Sequence, residues 1–161
     1  MAFPGKKVSP CLWFDNRIEE AVNFYVALFG GKILQTSYYG DAGPLPKGTV
    51  LTMTFTIHDE EFMALNGGQP AQYTDAVSIL VKCKDQAEID KYWNALTADG
   101  GEEIQCGWCK DKYGLRWQIA PEVMGKWITD KDPERVKRTM EAMFTMKKLD
   151  IVALEKAHTG G

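Results

Sequence analysis

The sequence has little of what marks a nucleic-acid-binding or membrane protein. Its 19 basic and 22 acidic residues give a net charge of −3, which argues against the basic face that nucleic acid requires. The longest apolar runs, such as residues 76–81 with one serine inside, are far shorter than the roughly 20 residues that span a bilayer. We therefore expect no nucleic-acid partner and no membrane insertion.

The first residues also contain no apolar stretch of signal-peptide length. We therefore expect a cytoplasmic protein. In that compartment the 4 cysteines should be reduced.

Histidine is scarce as well, with only 2 in the chain. His58 falls in a predicted tight turn and His158 lies three residues from the end of the sequence, where chains commonly fray. We expect both side chains to be exposed to solvent. General acid or base chemistry near neutral pH would then need a carboxylate, thiol or tyrosine with a shifted pKa.

What is present is a globular composition and a regular order of elements. The 161 residues, 45% of them hydrophobic, predict a single domain over 1–161 with a sizeable core. A β-prone run at 8–14 precedes an amphipathic helix that starts near Arg17 behind a cap at Asp15 or Asn16 and ends at Gly30-Gly31. Three strand patterns follow, at 32–39, 49–57 and 61–66.

The same order then recurs. An apolar run at 76–83, a cap at Asp85 and a helix that ends at Gly100-Gly101 are followed by strand patterns at 102–105, 107–110 and 115–120. The repetition predicts an internal duplication of a βαβββ module. Module one covers about 8–67 and module two about 76–120.

A helical tail over about 132–158 follows the second module. Asp132-Pro133 is a cap followed by a first-turn proline, and Asp150 is a second cap. Met140, Met143 and Phe144 form an apolar stripe between them. Because methionine side chains adapt to irregular surfaces, this stripe suits packing on its own domain or on a second subunit, and we favour its own domain.

Six short motifs carry a resemblance to a known family. They are Trp13-Phe14-Asp15, Glu19-Glu20-Ala21, Asn23-Phe24-Tyr25, residues 63–68, Cys106-Gly107-Trp108 and residues 146–150. Together they resemble the PhnB-like branch of the glyoxalase/bleomycin-resistance (vicinal oxygen chelate) superfamily, whose members are often described as 3-demethylubiquinone-9 3-methyltransferase domain proteins.

The resemblance implies an α+β fold. The two βαβββ modules would form a curved eight-stranded mixed sheet around a cavity, followed by the helical tail, and the protein would be a homodimer. The fold leaves the function open, because function depends on the site.

The resemblance also implies where a metal would sit. In metal-using relatives, His or Glu ligands occupy positions that correspond here to Pro10, Asn66, Ser78 and Gln118. These residues cannot supply the imidazole and carboxylate ligands of a divalent transition metal. We therefore expect a metal-independent protein without a cofactor.

Strand alternation from those positions predicts a ligand site on the sheet. A few polar groups in an apolar cavity suit the orientation of a small organic molecule, and the family description and Trp108 favour an aromatic or quinone-like one. Core packing is an equal alternative for Leu12 and Leu80. The candidate ligand-binding residues are Pro10, Leu12, Asn66, Ser78, Leu80, Trp108, Arg116 and Gln118.

Two function classes remain, a binding module and an enzyme acting on the ligand. Cys106 and Cys109 have the spacing of a redox motif, but a strand context lacks the helix N-terminus that makes such a thiol acidic. Cys106 is the weak catalytic candidate, and Cys109 is assigned a structural role. The methyltransferase alternative lacks the glycine-rich strand-to-helix turn that usually holds an adenosyl cofactor.

Overall fold

The computed structural model describes residues 3–161. They form two compact units, the first ending at Gln72 and the second beginning at Tyr73. Each unit contains one βαβββ module with its own four-stranded mixed sheet, and a helical C-terminus follows the second module. The predicted α+β fold of two βαβββ modules and a helical tail is confirmed.

In the first unit the strands are ordered β1-β4-β3-β2, with β1 parallel to β4 and the other pairs antiparallel. The buried side chains of α1 recur every three or four residues, and the ring of Tyr25 lies 6.3 Å from that of Phe14. This helix covers one face of the sheet. The elements are β1 (Cys11–Phe14), α1 (Ile18–Phe29), β2 (Ile33–Tyr38), β3 (Val50–Ile57) and β4 (Glu60–Asn66).

The start of α1 differs from the prediction. Arg17 is the residue that precedes the first turn, and no side chain caps the helix there. The Asp15 carboxylate instead accepts a hydrogen bond from the backbone N–H of Arg17 at 3.0 Å, so it stabilises the turn before the helix rather than the helix end.

The second unit repeats this arrangement with the order β5-β8-β7-β6 and a parallel β5–β8 pair. Asp85 caps α2 by accepting from the Glu88 N–H at 2.8 Å, as predicted. The elements are β5 (Ile79–Cys83), α2 (Gln86–Thr97), β6 (Glu102–Glu103), β7 (Trp108–Lys110) and β8 (Arg116–Pro121).

The tail contains α3 (Met124–Trp127), α4 (Pro133–Phe144) and α5 (Ile151–Thr159). Asp132 and Asp150 cap the last two helices as predicted, with 2.9 Å bonds from the N–H groups of Glu134 and Ala153. The sequence analysis missed α3, because a helix of one turn is too short to show a periodic pattern.

The tail packs within its own unit. Of the predicted stripe, Met143 packs against the apolar cluster described next, whereas Phe144 is 59% exposed. Met124, Trp127, Leu149 and Leu154 form a buried apolar cluster. The Gln86 side chain of α2 donates to the Leu149 carbonyl at 3.1 Å and accepts from the Ile151 N–H at 2.9 Å. The tail is therefore tied to the second module by both apolar and polar contacts.

The expectation that His158 is exposed was wrong. His158 is buried, its ring stacks on that of Trp127, and Nδ1 lies 3.0 Å from the Thr139 hydroxyl. Its Nε2 is 3.2 Å from Asp130. His158 lies in α5, which continues to Thr159 and packs against α4. His58 is exposed in a turn, as predicted.

Among the helices of residues 3–161, none has both the length and the apolar character needed to cross a membrane.

Candidate functional site

Each sheet has one face covered by the helix of its own module. We call the opposite face of the sheet its open face. In the first sheet, Leu12 is only 6% exposed and shares the helix side with Phe14, whereas Cys11 and Trp13 point to the open side. The structure therefore places Leu12 in the core layer. Pro10 is exposed just before β1, and its carbonyl accepts from the Met63 N–H at 3.0 Å.

Asn66 is buried at the end of β4 and forms three hydrogen bonds. Its side-chain amide donates to the Val50 carbonyl at 3.0 Å, and its side-chain oxygen accepts from the Gly68 N–H at 3.1 Å. Its backbone carbonyl accepts from the Tyr39 hydroxyl at 2.7 Å. These bonds give Asn66 a structural role, because they connect the end of β4 to both ends of the β2–β3 loop and to the turn that follows β4.

The predicted residues of the second module come together on its open face. Leu80 and Trp108 are the cross-strand partners of Gln118, one on each side. The Gln118 amide donates to the Ser78 hydroxyl at 2.8 Å. Leu80 is 56% exposed, so this row presents one large apolar side chain next to a polar pair.

Arg116 lies two residues before Gln118, on the same face of β8. Its Nε donates to the Asp75 carboxylate at 2.6 Å and its Nη1 to the Gly114 carbonyl at 2.6 Å. The guanidinium is therefore already paired with groups of its own unit.

A cavity of about 300 Å³, the second-unit cavity, opens beside this row. Three of the predicted residues line it, namely Leu80, Gln118 and Cys106. Sequence reasoning missed the wall from the tail, although the methionine stripe of α4 was its visible signal. The principal tail residues in that wall are Met124, Ile128, Met140 and Met143.

The cysteines differ in their surroundings. All 4 are unpaired. Burial, with the nearby Asp111 and Glu103 carboxylates, raises the pKa of Cys109 to about 12, so this thiol is protonated at neutral pH. Cys106 lines the second-unit cavity and adopts a left-handed backbone with φ of 60°.

The positions that the family resemblance matches to metal ligands hold no metal-binding cluster among the described residues of this chain. Within residues 3–161, no group of three or more His, Cys, Asp or Glu side chains is arranged to hold a metal ion. Gln118 and Ser78 are bonded to each other, and Pro10 offers no side-chain donor.

Comparison with known proteins adds the family. Residues 6–120 match the family described as 3-demethylubiquinone-9 3-methyltransferase. The PhnB protein from Bacillus cereus is 34% identical, with a TM-score of 0.64 over 71% of this chain and 98% of that one. No curated protein sequence matches the chain.

More distant structures share the fold. A protein from Pseudomonas aeruginosa is 20% identical, with a TM-score of 0.60 over 73% of this chain and 98% of that one. The fosfomycin resistance protein FosX from Listeria monocytogenes is 14% identical, with a TM-score of 0.51 over 73% of this chain and 94% of that one.

The paired βαβββ modules and these likenesses define a protein of the glyoxalase/bleomycin-resistance superfamily. Within that superfamily the chain belongs to the 3-demethylubiquinone-9 3-methyltransferase family, the PhnB-like branch. The family match ends at residue 120, so helices α3 to α5 lie beyond it.

Proposed function

We propose that the chain binds a small, largely apolar organic molecule in the second-unit cavity. The observation that carries this proposal is the cavity itself, about 300 Å³ in volume, between the open face of the second sheet and the tail helices. Ligand sites of this size are typically apolar with a few polar groups. Here the apolar wall comes from Leu80 and the tail, and the polar residues are Gln118, Lys82 and Glu122.

The polar groups favour a ligand that carries carbonyl or hydroxyl oxygens. The Gln118 amide has two N–H groups, and it donates to the Ser78 hydroxyl. Lys82 follows Leu80 by two residues on the same face of β5, and it also lines the cavity. A quinone-like molecule offers two acceptors on a flat apolar ring, which fits this set of donors.

The tail supports an adaptable site. Met124, Met140 and Met143 contribute flexible thioether side chains to the wall, and such side chains adjust to ligands of different outline. We expect the site to accept a class of related molecules rather than one shape.

Calorimetric titration with duroquinone tests the proposal. Every ring carbon of this quinone carries a substituent, so the quinone does not add the Cys106 thiol in the cavity and the titration measures non-covalent binding. We expect a dissociation constant on the order of 0.1 mM. Ile128→Trp should fill the cavity and weaken binding about tenfold, since Ile128 lines it. Val152→Trp is the matched control, because Val152 is an exposed residue of α5. Equal affinity of the two variants would refute the site.

The proposed binding is independent of metal. The support is the set Pro10, Ser78 and Gln118, which lacks imidazole and carboxylate groups. Elemental analysis of protein purified without a tag or chelator should find no stoichiometric transition metal. Near-stoichiometric zinc, nickel, iron or manganese would contradict this part of the proposal.

The second candidate function is methyl transfer, which rests on the family description. The strand-to-helix turns that open the two module helices, residues 15–17 and 84–85, contain no glycine, although an adenosyl cofactor is usually held by a glycine-rich turn at this place. We expect no binding of S-adenosylmethionine tighter than roughly 1 mM. Micromolar binding that Gln118→Ala abolishes would make methyl transfer the leading function.

The chain is also proposed to form a homodimer in the cytoplasm. Edge strand β2 exposes Ile33, Leu34 and Tyr38, which supports contact with a second copy, and the unpaired cysteines fit a reducing compartment. Light scattering should give about twice the 18.1 kDa chain mass. A monomer at all concentrations would refute the dimer.

A further inference from the structure

A second cavity lies in the first unit, under the N-terminal segment of residues 3–9. The N–H groups of Gly5 and Lys6 donate to the Glu61 carboxylate at 2.8 and 3.1 Å. The Lys6 ammonium pairs with Glu60 at 2.7 Å. These contacts anchor the segment to the start of β4, so the cavity beneath it is part of the folded unit.

This N-terminal cavity has a volume of about 470 Å³, within the usual range for small-molecule sites. Its lining combines cationic, hydroxyl and apolar side chains, and no acidic side chain of the described residues 3–161 contributes to it. The lining residues that matter here are Phe3, Lys6, Lys7, Ser9, Cys11 and Met63.

The Ser9 hydroxyl is the unexplained group of the cavity. Its oxygen is buried and has no hydrogen-bond partner among the residues that the structure describes. A buried hydroxyl without a partner costs free energy, and almost all such groups in folded proteins find one. Ser9 lines the cavity, and rotation about its Cα–Cβ bond to another staggered position would turn the hydroxyl into it. An acceptor atom on a bound molecule would then supply the missing partner.

The two lysines of the cavity differ in their availability. Glu60 and the Asp59 carbonyl already accept from the Lys6 ammonium. Lys7 forms no ion pair or side-chain hydrogen bond within residues 3–161, so its positive charge is open to a ligand. Burial raises the pKa of the Cys11 thiol, which therefore stays neutral near pH 7 and does not repel an anion.

We infer that the N-terminal cavity binds a small organic anion, with its carboxylate or phosphoryl oxygens on Lys7 and Ser9 and its apolar body against Phe3 and Met63. The inference is independent of the proposed function, because it concerns a different cavity in the other unit. Lys7 supplies a charge-assisted hydrogen bond and Ser9 a neutral one.

Calorimetric titration of the full chain with phenyl phosphate and with benzoate tests the inference and distinguishes the two oxyanion types. Inorganic phosphate tests the anion alone, and benzyl alcohol tests the ring without charge. We expect at least one of the aromatic anions to bind with a dissociation constant below roughly 1 mM. Both control compounds should bind at least about tenfold more weakly, because each lacks half of the contacts.

Variants then locate the site. Lys7→Gln should weaken binding of the aromatic anion about tenfold and Ser9→Ala about threefold. Lys32→Gln removes the same charge from another exposed position of the first unit and should leave the affinity unchanged. Ile128→Trp, which alters the other cavity, should also leave it unchanged.

Three results would overturn the inference. The first is that neither aromatic anion saturates the protein at roughly 10 mM. The second is that inorganic phosphate or benzyl alcohol binds as tightly as the aromatic anions, and the third is that Lys7→Gln and Lys32→Gln lose the same amount of affinity. Unchanged affinity in Ser9→Ala would remove the hydroxyl from the site and overturn the assignment as stated. Circular dichroism of each variant confirms that these changes preserve the fold.

Discussion

The two units have the same element order and strand connectivity but use the open faces of their sheets differently. In the first unit a short N-terminal segment with two lysines borders the open face around Cys11 and Met63. In the second unit the tail helices border the face around Leu80 and Gln118. The first module therefore has a cavity lined by lysines, and the second has a cavity lined by methionines. In each unit the residues that distinguish the cavity belong to a segment outside the βαβββ module, the N-terminal segment in the first unit and the tail in the second.

The turn before the last strand differs too. In the first unit it is the exposed pair His58-Asp59. In the second unit it contains the buried carboxylate of Asp111, which accepts from the N–H groups of Tyr113 and Leu115 and from the Trp117 indole at 2.8–3.0 Å. A turn position that is a surface feature in one module is thus a core anchor in the other.

The largest expected effect comes from the apolar cluster that joins the tail to the second unit. Leu154→Ala should lower the free energy of unfolding by about 3 kcal/mol, because Leu154 is fully buried there. Urea denaturation measures the change. Val152→Ala, at an exposed position of the same helix, should change it by less than about 0.5 kcal/mol. Equal effects of the two variants would show that the tail is not an integral part of the unit.

In the first unit, Gly67→Ala should cost about 2 kcal/mol of unfolding free energy. A Cβ at Gly67 would overlap the Trp13 ring, which must then move and weaken its 2.9 Å bond to the Gln69 carbonyl. A shifted Trp13 indole resonance in nuclear magnetic resonance spectra is the local readout. Gly40→Ala is the control, because a Cβ there meets no atom within 4 Å. An unmoved indole resonance would contradict this packing.

The two turns can be compared by substituting their aspartates. Asp111→Asn should lower the free energy of unfolding by about 1.5 kcal/mol, because a carboxylate accepts stronger hydrogen bonds than an amide oxygen does. Asp59→Asn in the matching turn of the first unit should have a smaller effect, since Asp59 is exposed. Thermal or urea unfolding of both variants checks this order. A reversed order would show that the buried carboxylate is not an anchor.

The smallest effect concerns pH. Hydrogen bonds from Lys148 and Gln86 lower the pKa of Asp90, which lies on α2 where the tail is tied to the second module. Because the folded-state pKa is depressed, the stabilisation is present above the ordinary carboxyl range near 4 and is lost as pH falls through the folded-state pKa. Urea midpoints should fall with acidity more steeply for the parent chain than for Asp90→Asn. Parallel pH profiles would contradict the assignment.

Local chemistry made much of this fold predictable. Asp85, Asp132 and Asp150 could be assigned as caps because a side-chain oxygen that accepts from an N–H two or three residues later is a local interaction. The spacing of apolar residues likewise marked the buried faces of α1 and α2, and Gly30 marked the end of α1. The matching prediction for α2 was wrong, because that helix ends at Thr97, before the pair Gly100-Gly101.

The candidate site was less predictable. Leu80, Gln118 and Cys106 were proposed from the resemblance and line the second-unit cavity. Leu12 was proposed with them but lies on the helix side of the first sheet. Side chains alternate between the two faces of a strand, so an error of one residue in assigning the faces places every side chain on the wrong one. His158 was misjudged because its burial depends on Trp127 and Thr139, which are distant in sequence.

The sequence by itself determined the two βαβββ modules, the helical tail and the family, because these depend on periodicity, caps and motifs that are written within short stretches of chain. Tertiary structure decided which side chains face a cavity and which partners they have. The Ser9 hydroxyl has no hydrogen-bond partner within residues 3–161, the Gln118 amide donates to Ser78, and the methionines of α4 line a cavity. Each of these outcomes depends on contacts between segments far apart in the chain, where packing and desolvation, rather than local preference, set the free energy.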